Sequence, residues 1–160
     1  MFNSMRFMAN AMALFSFCAF AAAVNAGDFK AALVACHADG TKMGDVGSCV
    51  EIWKLKSGSA QLTAAGNLKV EVKGLVLNDA SVGKFNGTPD GVDAVAAAVI
   101  CSGPSGAAVA AQTDAVPLSK KGNAKVATKV SLPNGCEKPV IVLRERYEGK
   151  IGGWFAGTAK

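Results

Sequence analysis

The residues best suited to bind a metal ion or another ligand are concentrated in one short stretch of the chain. They are Cys36, His37, Asp39, Met43, Asp45 and Cys49. With both thiols reduced, sulfur and imidazole together suit a soft ion such as Cu(I). In an oxidising compartment a disulfide would remove both thiolates, and a blue-copper centre needs two histidines where this chain has one. We therefore predict a tied surface loop, with no metal ion and no cofactor.

A second group of polar side chains lies in the Gly-, Asn- and Asp-rich connection from Asn78 to Asp93. Its candidate ligand residues are Asn86, Asp90 and Asp93. Carboxylate pairs in this connection and in the first loop offer oxygens of the kind that calcium prefers, but neither pair has EF-hand spacing. Aspartate beside glycine is more typical of turns. We interpret the two loops as the places where a partner would bind.

The chain lacks the residue pattern of a hydrolytic centre. A serine triad needs a histidine base, which only His37 supplies, and no Gly-x-Ser-x-Gly elbow is present. Paired carboxylates for glycoside cleavage stay open, since they can converge from distant strands. The 12 acidic residues can all be interpreted as turn or surface groups. We predict no catalytic residues and no enzymatic activity.

Two pairs of larger side chains are further candidates for contact with a ligand. Arg144 and Arg146 stand two apart in a predicted strand and so share a face, where they suit an anionic ligand or ion pairs across the sheet. Trp53 and Trp154 could stack on a sugar ring, but tryptophan is more often buried in a β-protein core. We expect both tryptophans in the core.

The N-terminal residues 1–26 have the pattern of a secretory signal peptide. Arg6 precedes an apolar run from about Ala11 to Val24, and cleavage is expected after Ala26. Removal of this segment takes one of the 17 basic residues and none of the 12 acidic ones, which leaves a net charge of +4. The charge is too scattered for nucleic-acid binding. We predict a secreted or periplasmic monomer, with residues 27–160 as one domain and no membrane span after cleavage.

Four cysteines remain after the predicted cleavage: Cys36, Cys49, Cys101 and Cys136. An even number in an exported chain indicates two disulfides, and the sequence permits three pairings. We favour Cys36 with Cys49 and Cys101 with Cys136, because each pair brackets a loop or hairpin that can close locally.

The elements that would position these residues are predicted to be short strands. Leu68, Val70 and Val72 alternate with charged residues, as in a strand with one buried face. Residues 29–35 and residues 94–101 each suit a helix or a strand, and we expect a strand in both places, with residues 94–101 buried on both faces. We predict that residues 107–113 and 116–118 form one interrupted strand, which lies at an edge or contains a bulge because of Pro117, and that it forms a hairpin with residues 125–132. About eight strands predict an antiparallel two-sheet sandwich of Greek-key, immunoglobulin-like type.

The portion from Ala107 through Phe155 resembles a recurring kind of small exported bacterial protein of unknown function. The resemblance rests on residues 113–118, on Val130-Ser131-Leu132-Pro133 before Cys136, on Pro139 before an aliphatic run, and on the closing Trp-Phe-Ala. It implies a secreted sandwich with Cys101 and Cys136 paired, and it implies no activity.

Taken together, these features predict a non-enzymatic exported protein that binds a surface, a glycan or a protein partner through its loops or an edge strand. A pilin-like assembly subunit, completed by a strand from a neighbour, is the first alternative. A minor exported enzyme or metal carrier is the second.

Overall fold

The computed structural model describes residues 28–37, 39–49, 51–89, 91–103 and 106–158, so that the predicted signal peptide and Asp90 lie outside the described residues. The described residues form eleven strands and one short 3-10 helix, Ala80–Phe85. The strands are β1 Phe29–Ala35, β2 Trp53–Lys54, β3 Ser57–Leu62, β4 Asn67–Lys73, β5 Val76–Leu77, β6 Ala94–Gly103, β7 Gly106–Gln112, β8 Val116–Pro117, β9 Ala124–Lys129, β10 Glu137–Tyr147 and β11 Lys150–Thr158.

Nine strands form a single antiparallel sheet that curls into a half-barrel, in the order β7-β6-β10-β11-β1-β3-β4-β9, with β8 also paired to β6. β2 and β5 form a separate two-stranded sheet. The predicted all-β antiparallel class is confirmed, whereas the immunoglobulin-like sandwich is not. The reason lies in β1, because its first half pairs with β3 and its second half with β11. This strand joins the two halves of the sheet by hydrogen bonds, where a sandwich would separate them.

Three of the predicted strands are confirmed. Residues 29–35 form β1, and the alternation in β4 places Leu68, Val70 and Val72 in the core. β6 is buried from Ala94 through Ile100. It lies in the sheet between β10 on one side and β7 and β8 on the other, and successive side chains are buried, as expected for a strand covered on both faces.

The predicted hairpin between residues 107–118 and 125–132 is wrong. β7 and β8 both pair with β6, whereas β9 pairs with β4. In that pairing Val126 stands opposite Val70, and both are fully buried. β9 thus extends the apolar row of β3 and β4, and burial of that row outweighs closure of a local turn.

Both predicted disulfides, Cys36–Cys49 and Cys101–Cys136, are present. Two disulfides are typical of an oxidising, non-cytoplasmic environment. Trp53 and Trp154 are buried as expected, and the Trp53 ring lies 5.1 Å from that of Phe155. In the described part of the chain, no helix has the length and hydrophobicity needed to cross a membrane.

Candidate functional site

The loop between Cys36 and Cys49 is packed against the sheet. It covers the face of β10 and β11 that carries Val142 and Gly157, which we call the outer face. Met43 is only 8% exposed and its side chain lies over Gly157 and near Val142. The main chain of the loop pairs with β11 as well, since the amide of Trp154 donates to the carbonyl of Gly47 over 3.0 Å. The loop is therefore part of the folded core on this side.

The polar residues predicted to bind a ligand in this loop make contacts within the protein. A carboxylate oxygen of Asp39 accepts from the amide of Thr41 at 2.9 Å, and this hydrogen bond lowers the pKa of Asp39. Asp45 accepts from the amide of Val109 in the edge strand β7, at 3.1 Å. His37 is exposed beside a shallow depression that Asn78 also lines. Met43 and Asp45 thus have structural roles, and a ligand role for this loop stays a prediction.

Arg144 and Arg146 lie on the same side of β10, in register with Ala96 and Ala94 of β6. The guanidinium of Arg144 is already engaged, because Nε and Nη2 donate to the carbonyl of Gly152 at 2.9 and 2.8 Å. Its Nη1 donates to Gln112 at 2.6 Å. Arg144 therefore ties together three strands, β7, β10 and β11, and an anion would have to compete with these bonds.

The connection from Asn78 to Asp93 crosses the other side of the sheet, which we call the inner face. Its 3-10 helix begins after Asp79, whose carboxylate accepts from the amide of Ser81 at 2.8 Å. Asn86 is exposed at the end of this helix, and the carbonyl of Asp93 accepts from the amide of Leu118. The connection is thus fixed at both ends, and Asn86 and Asp93 lie in different parts of it.

Sequence reasoning did not identify a cavity that lies between this connection and the end of β10. We call it the aromatic cleft, with a volume of about 340 Å³. The residues that decide its chemistry are Glu51, Trp53, Phe85, Val92, Glu145 and Tyr147. Glu145 and Tyr147 alternate with Arg144 and Arg146 along β10, so they project from the inner face. The rings of Phe85 and Tyr147 are 40% and 52% exposed.

The aromatic cleft holds two carboxylates, Glu51 and Glu145, that form no ion pair with any described residue. Burial raises the pKa of Glu145, an effect opposed by a hydrogen bond from the Gly153 amide and reinforced by the charge of Glu51. Among the described residues, no Lys, Arg or His nitrogen lies within 4.0 Å of either carboxylate. The indole N–H of Trp53 is fully buried and has no hydrogen-bond acceptor among the described residues. The cleft thus combines unpaired negative charge with aromatic walls.

A second, wider cavity of about 700 Å³ adjoins the aromatic cleft, and we call it the basic pocket. The two share Phe85, Gly91 and Val92, and the charged residues of the basic pocket are Lys84, Lys120 and Asp93. The ammonium of Lys84 lies 5.1 Å from the centre of the Phe85 ring. Two adjoining cavities therefore lie beneath the connection, one with two carboxylates and the other with two lysines and one carboxylate.

The chain matches no protein-family model, no curated protein and no solved structure. Within the described residues, no group of three or more His, Cys, Asp and Glu side chains is placed to hold a metal ion.

One signal in the sequence could have revealed the aromatic cleft. Period-two alternation from the buried residues Ile141 and Leu143 continues directly to Glu145 and Tyr147. A carboxylate that continues the core-facing row of a strand is uncommon unless a partner or a cavity accommodates it. Glu51 and Phe85 give no such signal, because only the fold brings them to β10.

Proposed function

We propose that the protein is an exported, non-enzymatic binding protein and that the aromatic cleft is where its partner binds. The observation that carries this proposal is the pair of exposed rings, Phe85 and Tyr147, at the mouth of a cavity with an apolar wall. Exposed aromatic side chains around a concave site are typical of binding surfaces. The predicted sandwich fold is not needed for this function, since the half-barrel supplies the rigid support.

The alternative of a pilin-like assembly subunit has less support. Strand donation needs a free sheet edge, and one edge of this sheet is β7. The outward amide of Val109 in that strand already donates to Asp45. On the same side of β6, Pro117 of β8 has no amide hydrogen to offer a new strand. These features are typical of an edge protected from pairing with another chain, and they apply to the β7 edge; the other edge of the sheet is β9.

A second candidate function is glycoside cleavage, which belongs to the alternative of a minor exported enzyme. It is favoured by one observation, the pairing of Glu145, whose pKa is raised, with the carboxylate of Glu51 in the same cleft. Carboxyl groups held at different pKa values are the acid and base of many glycosidases. Release of reducing sugar from an oligosaccharide panel, abolished in Glu145→Gln, would establish this function over simple binding.

The binding function can be tested by site-specific photo-crosslinking in the cell that makes the protein. A photoreactive phenylalanine analogue replaces Phe85 or Tyr147 in two separate variants, and Val34, which is 44% exposed on β1, serves as the control position. We expect discrete cross-linked products from positions 85 and 147 and none from position 34. Equal cross-linking at all three positions, or none at any, would contradict the proposal.

A further inference from the structure

The aromatic cleft holds two neighbouring carboxylates, Glu51 and Glu145, in a protein with 17 basic and 12 acidic residues. Among the described acidic residues, only Glu71 forms ion pairs within 4.0 Å, with Lys69 and Lys125 at 3.4 and 3.3 Å. Glu51 and Glu145 share the lack of an ion pair with the other described carboxylates. Glu145, however, is half-buried beside the charge of Glu51, so an unpaired charge is more costly there. The cleft is therefore complementary to a cation placed at these two carboxylates.

The walls of the cleft suit the rest of a basic side chain. Lysine and arginine carry an aliphatic stem that packs against apolar surface, and their charged heads are attracted to aromatic faces. Val82 and Val92 supply the apolar surface, and Phe85 and Tyr147 supply the rings. The protein already shows this preference, because the ammonium of its own Lys84 lies over the Phe85 ring from the side of the basic pocket.

One further feature favours a polypeptide over a small amine. The aromatic cleft adjoins the basic pocket at Phe85, and this pocket has room for neighbouring residues. Its two lysines, Lys84 and Lys120, outnumber the carboxylate of Asp93 and so favour an acidic group.

We propose that the aromatic cleft recognises a basic side chain of a partner polypeptide, with its cationic head between Glu51 and Glu145 and its stem between Phe85 and Tyr147. An acidic residue close to it in the partner's sequence occupies the basic pocket. This inference rests on the proposed binding function, and it names the chemistry that the cleft selects.

The test is a titration of the isotope-labelled protein, followed by NMR, with two short peptides. The first is acetyl-Ala-Arg-Ala-Asp-Ala-amide, and the second has citrulline, a neutral isostere, in place of arginine. We expect the arginine peptide to shift the amide signals of Gly91, Val92 and Tyr147 and to bind about tenfold more tightly than the citrulline peptide, as for the loss of one charge-assisted hydrogen bond. Equal affinities, or no shift with either peptide at millimolar concentration, would overturn the inference.

Matched variants locate the charge that is recognised. Glu145→Gln and Glu51→Gln keep the shape of each side chain, and each should weaken the arginine peptide about tenfold with little effect on the citrulline peptide. Glu137→Gln, at the exposed far end of the same strand β10, serves as the control and should leave both affinities unchanged. Similar losses in all three variants would mean that the peptide responds only to overall charge, which contradicts a specific site.

The outcome is separable from that of the crosslinking experiment. If positions 85 and 147 cross-link to a partner while the peptides bind with equal affinity, the cleft is a binding site of different specificity and only the present inference fails. A neutral oligosaccharide such as cellotetraose that shifts the same amides, when the arginine peptide does not, would assign the cleft to a glycan and would also overturn the inference.

Discussion

The Cys36–Cys49 loop and the Asn78–Asp93 connection are similar in sequence and opposite in structure. Both are rich in Gly and Asp. The loop lies over β10 and β11 on the outer face, and the connection lies over the end of β10 on the inner face. The first buries Met43 and Val46. The second leaves a cavity beneath it, with exposed rings at its rim. Similar composition therefore gives a structural cover in one place and a candidate binding site in the other.

Two adjacent glycines of β11 show how this difference arises. A methyl group on Gly153 would meet the carbonyl oxygen of Ser48 at 2.7 Å, so this glycine lets the backbone of the first loop lie against the strand. A methyl group on Gly152 would instead meet the side chain of Glu145, at the edge of the aromatic cleft. On the outer face the neighbour is a fixed backbone atom, and on the inner face it is the end of a long side chain.

The largest difference between the two regions is expected in stability, when the Cys36–Cys49 disulfide is removed. Replacement of Cys36 and Cys49 together by alanine should lower the free energy of unfolding by about 3 kcal/mol, because the bond closes a loop across 13 residues and restricts the unfolded chain. Urea denaturation of the oxidised proteins measures the change. Phe85→Ala in the connection is the control and should change stability by less than about 0.5 kcal/mol, as for an exposed side chain.

If the two variants were equally stable, the first loop would contribute no more to the fold than the connection does. The distinction between a structural loop and a binding loop would then be lost.

A smaller and more local effect is expected from the adjacent glycines. Neither has a positive φ, so alanine is compatible with the backbone at both positions. Gly153→Ala should lower the free energy of unfolding by about 1 to 3 kcal/mol, since the loop backbone must move away. Gly152→Ala should lower the free energy of unfolding by less than about 1 kcal/mol, because the side chain of Glu145 can turn aside. The same substitution should shift the amide signals of Tyr147. Thermal unfolding and NMR spectra of the two variants provide the measurement, and a greater cost at position 152 would reverse the comparison.

The features that sequence reasoning predicted correctly depend on local patterns. The alternation of Leu68, Val70 and Val72 defines a strand with one buried face wherever the strand lies in the sheet. The run from residue 94 to residue 101 is apolar at every position, so it requires cover on both faces. The Cys36–Cys49 pair was predicted because it closes a short loop. The Cys101–Cys136 pair was predicted correctly for a wrong reason, because the hairpin that it was expected to bracket does not form and Cys136 instead precedes β10, the partner of β6. Each of these predictions needs no knowledge of which strands are neighbours.

The features that sequence reasoning missed depend on the order of the strands in the sheet. The partner of β9 is β4, more than 50 positions earlier in the chain, and nothing in residues 125–132 specifies that choice. The double pairing of β1, which replaces a sandwich by a half-barrel, is equally invisible in its seven residues. The aromatic cleft shares this property, because Glu51, Phe85 and Glu145 come from three distant segments.

The smallest effect is expected from Glu145→Gln, and it tests whether the aromatic cleft costs the protein stability. Burial raises the pKa of Glu145 in the folded state, so folding favours its neutral form. Below the pKa that Glu145 has in the unfolded protein, the carboxyl is neutral in both states and does not weaken the fold. As the pH rises through the pKa of Glu145 in the folded protein, the carboxyl becomes charged and the folded state loses stability. At pH 7 the variant should therefore be more stable than the parent by about a few tenths of a kcal/mol, a small gain because the group is half solvated. The gain should disappear as the pH falls through the folded pKa of Glu145, whereas the exposed Glu137→Gln should show neither effect.

Urea denaturation at several pH values measures the difference. A carboxylate that lowers the stability of the folded protein is expected only where a ligand uses it. If Glu145→Gln instead lowered the free energy of unfolding by more than about 1 kcal/mol at pH 7, Glu145 would be a structural residue like Asp45.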